Sequence, residues 1–453
     1  MNVHDSQRIE HLLRGAGYQL VDAPEGAEVV VLNTCSVREK AEQKLRSEAG
    51  RLKKLDTVLV VAGCVAQQEG ERLLKAMPYL DVVVGPDNLG DIPSLVREAQ
   101  LGGRPTARTV FDLDAPSFLT GATSPGSTGA SAYVTVMKGC DERCTFCVVP
   151  YTRGPERYRP ADQILAEVRA LVDAGAREVV LLGQTVNSYR DPSLGGPTPD
   201  DRSEFPELLG RIAREVPHLN RLRYTSPHPR HLTPALEEAH RALGVLARHV
   251  HLPVQSGSDR VLKRMLRRYT RAEYERRARS LLAAVPGLTL TTDIIVGFPG
   301  ETRGDFEETL GLVEALGFVG VFAFKYSPRP LTPSLKLDDD VPEDEKQSRL
   351  QALFAVTEAL TQRHLEGCVG TVVEVLVEGP SRPGARTVVG RTRRNEIAHL
   401  APLEGARAGA VVEAEVLRAH KHSLEARGLR VLLEAPGAVV ATRRRVALPV
   451  VAV

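Results

Sequence analysis

No apolar stretch of this chain approaches the roughly twenty residues needed to span a bilayer, and the N-terminus carries no apolar signal core. A membrane-spanning or exported protein is not expected; a cytoplasmic one is. An excess of charge of one sign is also missing. Lys and Arg number 59 against 57 Asp and Glu, a net charge of +2. Non-specific attraction to nucleic acid should therefore be weak, and local basic surfaces must steer any such partner. Tryptophan is absent and cysteine scarce, six in 453 residues. Five of the six fall in two clusters, which suits metal sites in a reducing compartment rather than disulfides.

What is there begins with Cys140, Cys144 and Cys147, in the run Gly139-Cys-Asp-Glu-Arg-Cys-Thr-Phe-Cys-Val-Val-Pro150. Three thiolates on one short loop hold three irons of a cubane 4Fe-4S cluster and leave the fourth open to a substrate or cofactor. The alternative is zinc, but a structural zinc site wants four Cys or His ligands, and no fourth candidate lies near this loop.

After the loop, short Val/Ile/Leu-rich runs alternate with amphipathic stretches. They predict strands at Tyr133 to Met137, Glu178 to Leu182, Arg221 to Thr225, His249 to Leu252, Leu288 to Val296 and Val319 to Tyr326. Six strand-helix units make a partial, TIM-like (β/α)6 barrel, whose sites sit at the C-terminal strand ends. Polar loops follow the strands: Gly183 to Tyr189, Ser226 to Pro229, Pro253 to Asp259 and Gly297 to Glu301. Any one is an ordinary turn by composition; together they nominate Gln184, Ser226, Gln255 and Ser256 as cofactor contacts, with the Gly297 to Glu301 turn letting a ligand ring approach the backbone. His251, inside a strand, reads as a satisfied core histidine, and His228 as a weak candidate.

Ahead of the barrel, Glu28 to Leu32 predicts a strand ending at Asn33-Thr34-Cys35, with Ser36 as cap of a charged helix. Thr57 to Ala62 repeats the plan, ending at Gly63-Cys64 before a helix containing Gln67 to Lys75, and Leu80 to Val84 is a third strand. Right-handed crossovers bring the loops after parallel strands to one sheet edge, so Cys35 and Cys64 are expected side by side in a Rossmann-like domain. From about Gly370, β-branched and polar residues alternate between glycine-rich breaks, as in Thr371-Val-Val-Glu-Val-Leu-Val377, predicting a small β-barrel. That segment has no Phe, Tyr or Trp, so a grip on RNA there must use Arg, Lys and backbone groups rather than stacking.

The spacing CxxxCxxC resembles the signature of the radical S-adenosylmethionine enzymes. With Asn33-Thr-Cys-Ser-Val-Arg-Glu-Lys-Ala-Glu-Gln-Lys44, Gly63-Cys-Val-Ala-Gln67, Leu182-Gly-Gln-Thr-Val-Asn-Ser-Tyr189 and His251-Leu-Pro-Val-Gln-Ser-Gly-Ser-Asp259, nearly the whole chain resembles the methylthiotransferases. The resemblance implies two 4Fe-4S clusters. Cys140, Cys144 and Cys147 would hold the one that binds and reductively cleaves S-adenosylmethionine; Cys35 and Cys64 would help hold a sulfur-delivering one. It implies methylthiolation of carbon 2 of an N6-isopentenyladenosine beside the tRNA anticodon, an electron donor of the flavodoxin or ferredoxin type, and a monomer. Gly390-Arg-Thr-Arg-Arg-Asn395 resembles a turn of the TRAM domain, making Arg391, Arg393 and Arg394 candidates for phosphate contacts. Rival substrates are a threonylcarbamoylated adenosine and an aspartate of a small-subunit ribosomal protein; a non-catalytic iron–sulfur RNA-binding protein is the alternative of another class.

The expected organisation is α/β and multidomain. Residues 1–100 form the N-terminal parallel α/β domain, 101–125 a linker with Gly/Ser/Thr/Pro-rich sequence running on to Ser131, 126–363 the radical core, 366–435 the TRAM barrel, and 436–453 a tail. Cys368 belongs to neither cysteine group and reads as structural. Family members begin with a strand ending in a Cys-Gln-Met-Asn-like segment, whereas this chain opens at Met1-Asn2-Val3-His4-Asp5-Ser6. The resemblance thus leaves the second cluster two protein ligands and the first sheet one strand short, and a start assigned too far downstream is the expected cause.

Overall fold

The computed structural model describes residues 2–36, 39–113, 118, 129–194, 203–382, 386–436 and 450–452. Of the expected linker 101–125, residues 114–117 and 119–125 lie outside them, as do residues 437–449 of the expected tail.

The first domain is a parallel sheet of β1 (Val29–Thr34), β2 (Val58–Gly63), β3 (Val82–Val84) and β4 (Thr106–Arg108) in chain order. β1 reads Val-Val-Val-Leu-Asn-Thr and is buried at every position. Such an unbroken apolar run marks a strand covered on both faces. Val30, Leu32, Val61 and Val83 pack on one side with Leu45, Ala49 and Leu73 of the crossover helices; Val29, Val31, Val60 and Val82 pack on the other against Ile9 and Leu13 of the helix Asn2–Gly15 and Ile92 and Val96 of the helix Ile92–Gln100. The helix expected over Gln67 to Lys75 is split in two, Cys64–Glu69 and Glu71–Ala76, by Gly70. β4 places part of the expected linker in this sheet, since Gly85 N donates to Arg108 O at 2.8 Å.

The central domain carries the six predicted strands within two residues of their expected ends. They are β5 (Ser131–Thr135), β8 (Glu178–Leu182), β9 (Arg221–Tyr224), β10 (His249–His251), β11 (Thr289–Val296) and β12 (Gly320–Lys325), with a short hairpin, β6 (Met137–Lys138) and β7 (Arg157–Tyr158), framing the cysteine loop. The pairs β5-β8-β9 and β10-β11-β12 are parallel, and a parallel bridge between Leu222 and Leu246 joins the two triplets. Among the described residues β5 and β12 do not pair, so the barrel is open between them. One core, from Val134 and Val179 to Leu290 and Leu312, lies between strands and surrounding helices.

The last domain is a closed barrel of β13 (Val372–Pro380), β14 (Val388–Thr392), β15 (Ile397–Leu400), β17 (Leu424–Leu433) and β16 (Val411–Ala419) in spatial order. β18 (Val450–Ala452) pairs in parallel with β1, Val31 opposite Val450. The edge of β1 is thus covered by a strand from the far end of the chain, which satisfies N–H and C=O groups that an open edge would leave unpaired. No helix among the described residues is long and apolar enough to cross a membrane.

Candidate active site

β2 ends on Gly63 and the hairpin strand β6 on Lys138 before Gly139, and each glycine precedes a cysteine. Gly63 has φ +98°, and a Cβ on it would stand 2.4 Å from Thr34 O; Gly139 has φ +79°, and its Cβ would stand 1.8 Å from Pro155 O. Only glycine combines a left-handed backbone with so close an approach. The chain therefore turns sharply at the end of a strand in both domains and delivers Cys64 and Cys140 to the same space.

That space is a cavity of about 320 Å³ lined by Cys35, Cys64, Cys140, Cys144 and Cys147 together, with Asn2, Glu142, Arg153, Gln184, Ser226, His228, Gln255 and Arg267 around them. All five clustered cysteines, from three separated segments, thus share one cavity. All are free thiols. Burial pushes the Cys140 thiol above its ordinary range and Cys147 up to about 12. Thiols so desolvated ionise only when a cation replaces the lost hydration, the donor chemistry of an iron or zinc site. Three soft donors on one loop facing open space fit a cubane with one free iron better than a closed zinc tetrahedron.

Each sulfur group is met by a buried arginine that sequence reading missed. Arg153 Nε donates to Cys64 Sγ at 3.3 Å while Arg153 Nη2 pairs with Asp5 Oδ2 at 2.6 Å. Arg267 Nη1 donates to Cys144 Sγ at 3.3 Å, and its Nη2 to Pro253 O at 2.8 Å. Burial works against both charges, yet Asp5 and Cys64 for Arg153, and Tyr269 and Cys144 for Arg267, hold the guanidinium pKa above its ordinary value. Thr185 Oγ1 lies 3.0 Å from Cys140 Sγ. The only signal in the sequence was position: Arg153 sits six residues after Cys147, on the helix Val149–Arg153.

Arg153 also ties the domains together. With Asp5 on the first helix, and with Asp87 after β3 accepting from both Lys138 (3.2 Å) and Arg157, it makes a set of buried ion pairs between the Rossmann-like domain and the hairpin that frames the cysteine loop.

Of the expected cofactor contacts, Gln184, Ser226 and Gln255 line the cavity. Ser226 (φ 58°) and Gln255 (φ 76°) hold left-handed backbones rare for residues with a side chain, strain of a kind that collects at functional sites. Gln184 Oε1 and His228 Nε2 are buried without a hydrogen-bond partner among the described residues, which costs free energy unless a ligand supplies one. His228, discounted in the sequence, is thus a wall residue; its imidazole is held neutral, mainly by burial and then by the Arg267 charge. His251 is satisfied, as read, by Thr291 Oγ1 at 3.0 Å and Asp293 Oδ2 at 3.3 Å.

Three of the expected contacts have other partners in this structure. The Ser256 hydroxyl points away from the cavity, 3.3 Å from Thr309 Oγ1, and accepts from Ser258 N. Gly297 N donates to Glu301 Oε2 at 2.5 Å, and Glu301 pairs with Arg349 at 2.7 Å, so that turn is an internal brace outside the cavity lining. The Gly390 to Asn395 turn is a domain contact. Arg393 reaches Gly244 O and, at 3.3 Å, Leu246 O; Arg394 pairs with Glu396 at 2.8 Å and meets Cys368 Sγ at 3.2 Å; Arg221 Nη1 caps Arg391 O and Thr392 O. Arg391 keeps an ion pair with Glu378 at 3.3 Å. These contacts fall at Arg221, Arg248 and Thr289, the N-terminal ends of the barrel strands, opposite the cysteines. Arginine carries its charge into such contacts as readily as onto phosphate, and spacing cannot tell the two apart. Cys368 is buried in the last barrel's core.

Comparison with known proteins agrees with this layout. Residues 1–85 match Uncharacterized protein family UPF0004, residues 134–313 the Radical SAM superfamily, and residues 366–429 the TRAM domain. The chain is 60% identical over 474 residues to tRNA-2-methylthio-N(6)-dimethylallyladenosine synthase of Sorangium cellulosum, covering 98% of this chain and 94% of that protein. Its counterpart in Bordetella petrii is 45% identical, with 94% and 89% covered. A radical S-adenosylmethionine methyltransferase of Kitasatospora setae, solved with tryptophan and a cofactor analogue, superposes with TM-score 0.49 at 14% identity over 83% of this chain and 71% of that one. With three family matches and near full-length identity in agreement, the chain belongs to the family of tRNA-2-methylthio-N(6)-dimethylallyladenosine synthases.

Proposed function

We propose that this enzyme places a methylthio group on carbon 2 of N6-isopentenyladenosine next to the tRNA anticodon, with one 4Fe-4S cluster on Cys140, Cys144 and Cys147 and a second held in part by Cys35 and Cys64. The observation that carries the reading is the single cavity into which both cysteine groups open. When bound, the clusters and S-adenosylmethionine supply the radical, the methyl group and the sulfur.

The protein's own part is positioning. Arg267 and Thr185 contact the sulfurs of Cys144 and Cys140; Arg153 donates to that of Cys64 while pinning its domain to the loop. Gln184 and neutral His228 each keep a buried polar atom without a partner among the described residues, Gln255 and Ser226 line the same cavity, and the surrounding Pro227, Pro253 and Phe146 limit water. Placing both clusters in one shared cavity removes the need for a reactive species to travel, the ordinary advantage of proximity. Electrons would come from a flavodoxin- or ferredoxin-type donor, and a cytoplasmic monomer fits the substrate.

The test is reconstituted protein with dithionite, S-adenosylmethionine and tRNA bearing N6-isopentenyladenosine, followed by nucleoside mass spectrometry. A 2-methylthio nucleoside is expected. Release of 5′-deoxyadenosine with no change in that tRNA, but with modification of threonylcarbamoyl tRNA or ribosomal protein, would move the substrate to a sister class; no 5′-deoxyadenosine at all would leave a non-catalytic iron–sulfur protein.

A further inference from the structure

The closed C-terminal barrel has no aromatic residue, yet a nucleobase drawn out of an RNA loop is usually held by stacking. Exposed rings lie elsewhere: Tyr151 beside the cysteine loop, Phe354 on the long helix, and two together, Phe322 and Phe324, 56% and 37% exposed on β12, the edge strand beside the barrel's open side. Their neighbours Val321 and Ala323 pack with Leu350 and Val356 against the core under the long helix Glu343–Glu366, so by strand alternation the two rings face the lumen. Phe322 stands edge-on to His251, ring centroids 5.6 Å apart at 75°. The register agrees: Asp293 lies opposite Phe322 and Ile295 opposite Phe324, both on the half-buried face of β11. His251 is two residues before Pro253, which lines the cysteine cavity.

We propose that Phe322 and Phe324 form the stacking platform on which the target adenine lies as it enters the open side of the barrel toward the cysteine cavity. This rests on the tRNA reading above. Residues two apart on a strand stand about 6.6 Å from one another, so the pair covers a strip on the scale of one purine. His251 and Asp293, paired with one another at 3.3 Å beside Phe322, give the platform a polar border, an arrangement suited to a nucleobase rather than to an apolar protein surface. A platform on the barrel also accounts for how a chain whose RNA-type domain cannot stack bases nonetheless grips one.

Because the chain has no tryptophan, Phe322→Trp installs a single fluorophore at the platform, and Phe324→Trp is a second reporter should the first fold poorly. Each would be titrated with an anticodon stem-loop carrying N6-isopentenyladenosine and with the same stem-loop made abasic at that position. Quenching by the intact RNA and little by the abasic one is expected, together with about tenfold weaker filter binding by Phe322→Ala/Phe324→Ala and recovery with Tyr at both positions. Equal quenching by both RNAs, or unchanged binding by the double alanine variant, overturns the platform. Failure of the parent chain to bind either RNA overturns the tRNA reading itself and the platform with it.

Discussion

Replacing Arg153 with methionine should loosen the N-terminal domain from the cysteine loop while leaving each domain folded. The Arg153 and Asp5 side chains are 6% and 5% exposed, and their guanidinium and carboxylate meet at 2.6 Å. Methionine keeps much of the side-chain volume but takes the hydrogen-bonded partner from buried Asp5, leaving it only the weaker attraction of Arg8 and the N-terminus, and breaking one partner of such a pair costs about 3–5 kcal/mol. Cys64 loses its donor at the same time. Asp5→Asn alone should cost less, since the amide still accepts from the arginine, and the double variant should be less destabilised than the two single changes combined. Urea unfolding of all four forms supplies the cycle. The reasoning is refuted if Arg153→Met lies within about 1 kcal/mol of the parent, or if the two effects simply add. The functional counterpart is a selective loss: methylthio product should fall far more than 5′-deoxyadenosine release, because the radical cluster's three ligands lie on one loop and do not depend on Asp5.

Cys144→Ser should abolish both iron binding at the loop and 5′-deoxyadenosine release, whereas Cys64→Ser should retain that release and lose the methylthio nucleoside, read by iron assay and mass spectrometry. Ser226→Gly relieves a left-handed backbone and should stabilise the fold by about 1 kcal/mol, while weakening S-adenosylmethionine binding in equilibrium dialysis; tighter binding would remove Ser226 from the site. Burial lowers the His240 pKa to about 4 from 6.5, so the folded state holds it neutral. Its contribution is complete above pH 6.5 and falls as the pH drops toward 4, by up to roughly 3 kcal/mol. Urea titrations across that window should show the loss, and His240→Gln, which keeps a partner for the Tyr224 hydroxyl 2.6 Å away, should reduce it by this share while His4, His228 and His249, also held neutral by burial, keep theirs.

Periodicity and spacing determined a good deal by themselves. The six barrel strands, the covered strands of the first domain and the closed C-terminal barrel are local patterns of apolar and β-branched residues, and local patterns survive folding. The same is true of a three-cysteine loop, whose ligands are neighbours in the chain, and of Cys35 and Cys64, each one step beyond a strand. What the tertiary structure alone decided are contacts between distant segments: that both cysteine groups open into one cavity, that Arg153 and Arg267 are aimed at sulfur, that His228 is a wall residue while Ser256 and Glu301 brace their own loops, and that Arg393 and Arg394 join two domains. A polar side chain in a loop has the same local signature whether it faces a ligand, a neighbouring loop or another domain. Which of these it meets depends on strand order and domain docking, and those are set by the burial of the whole core rather than by the few residues around it.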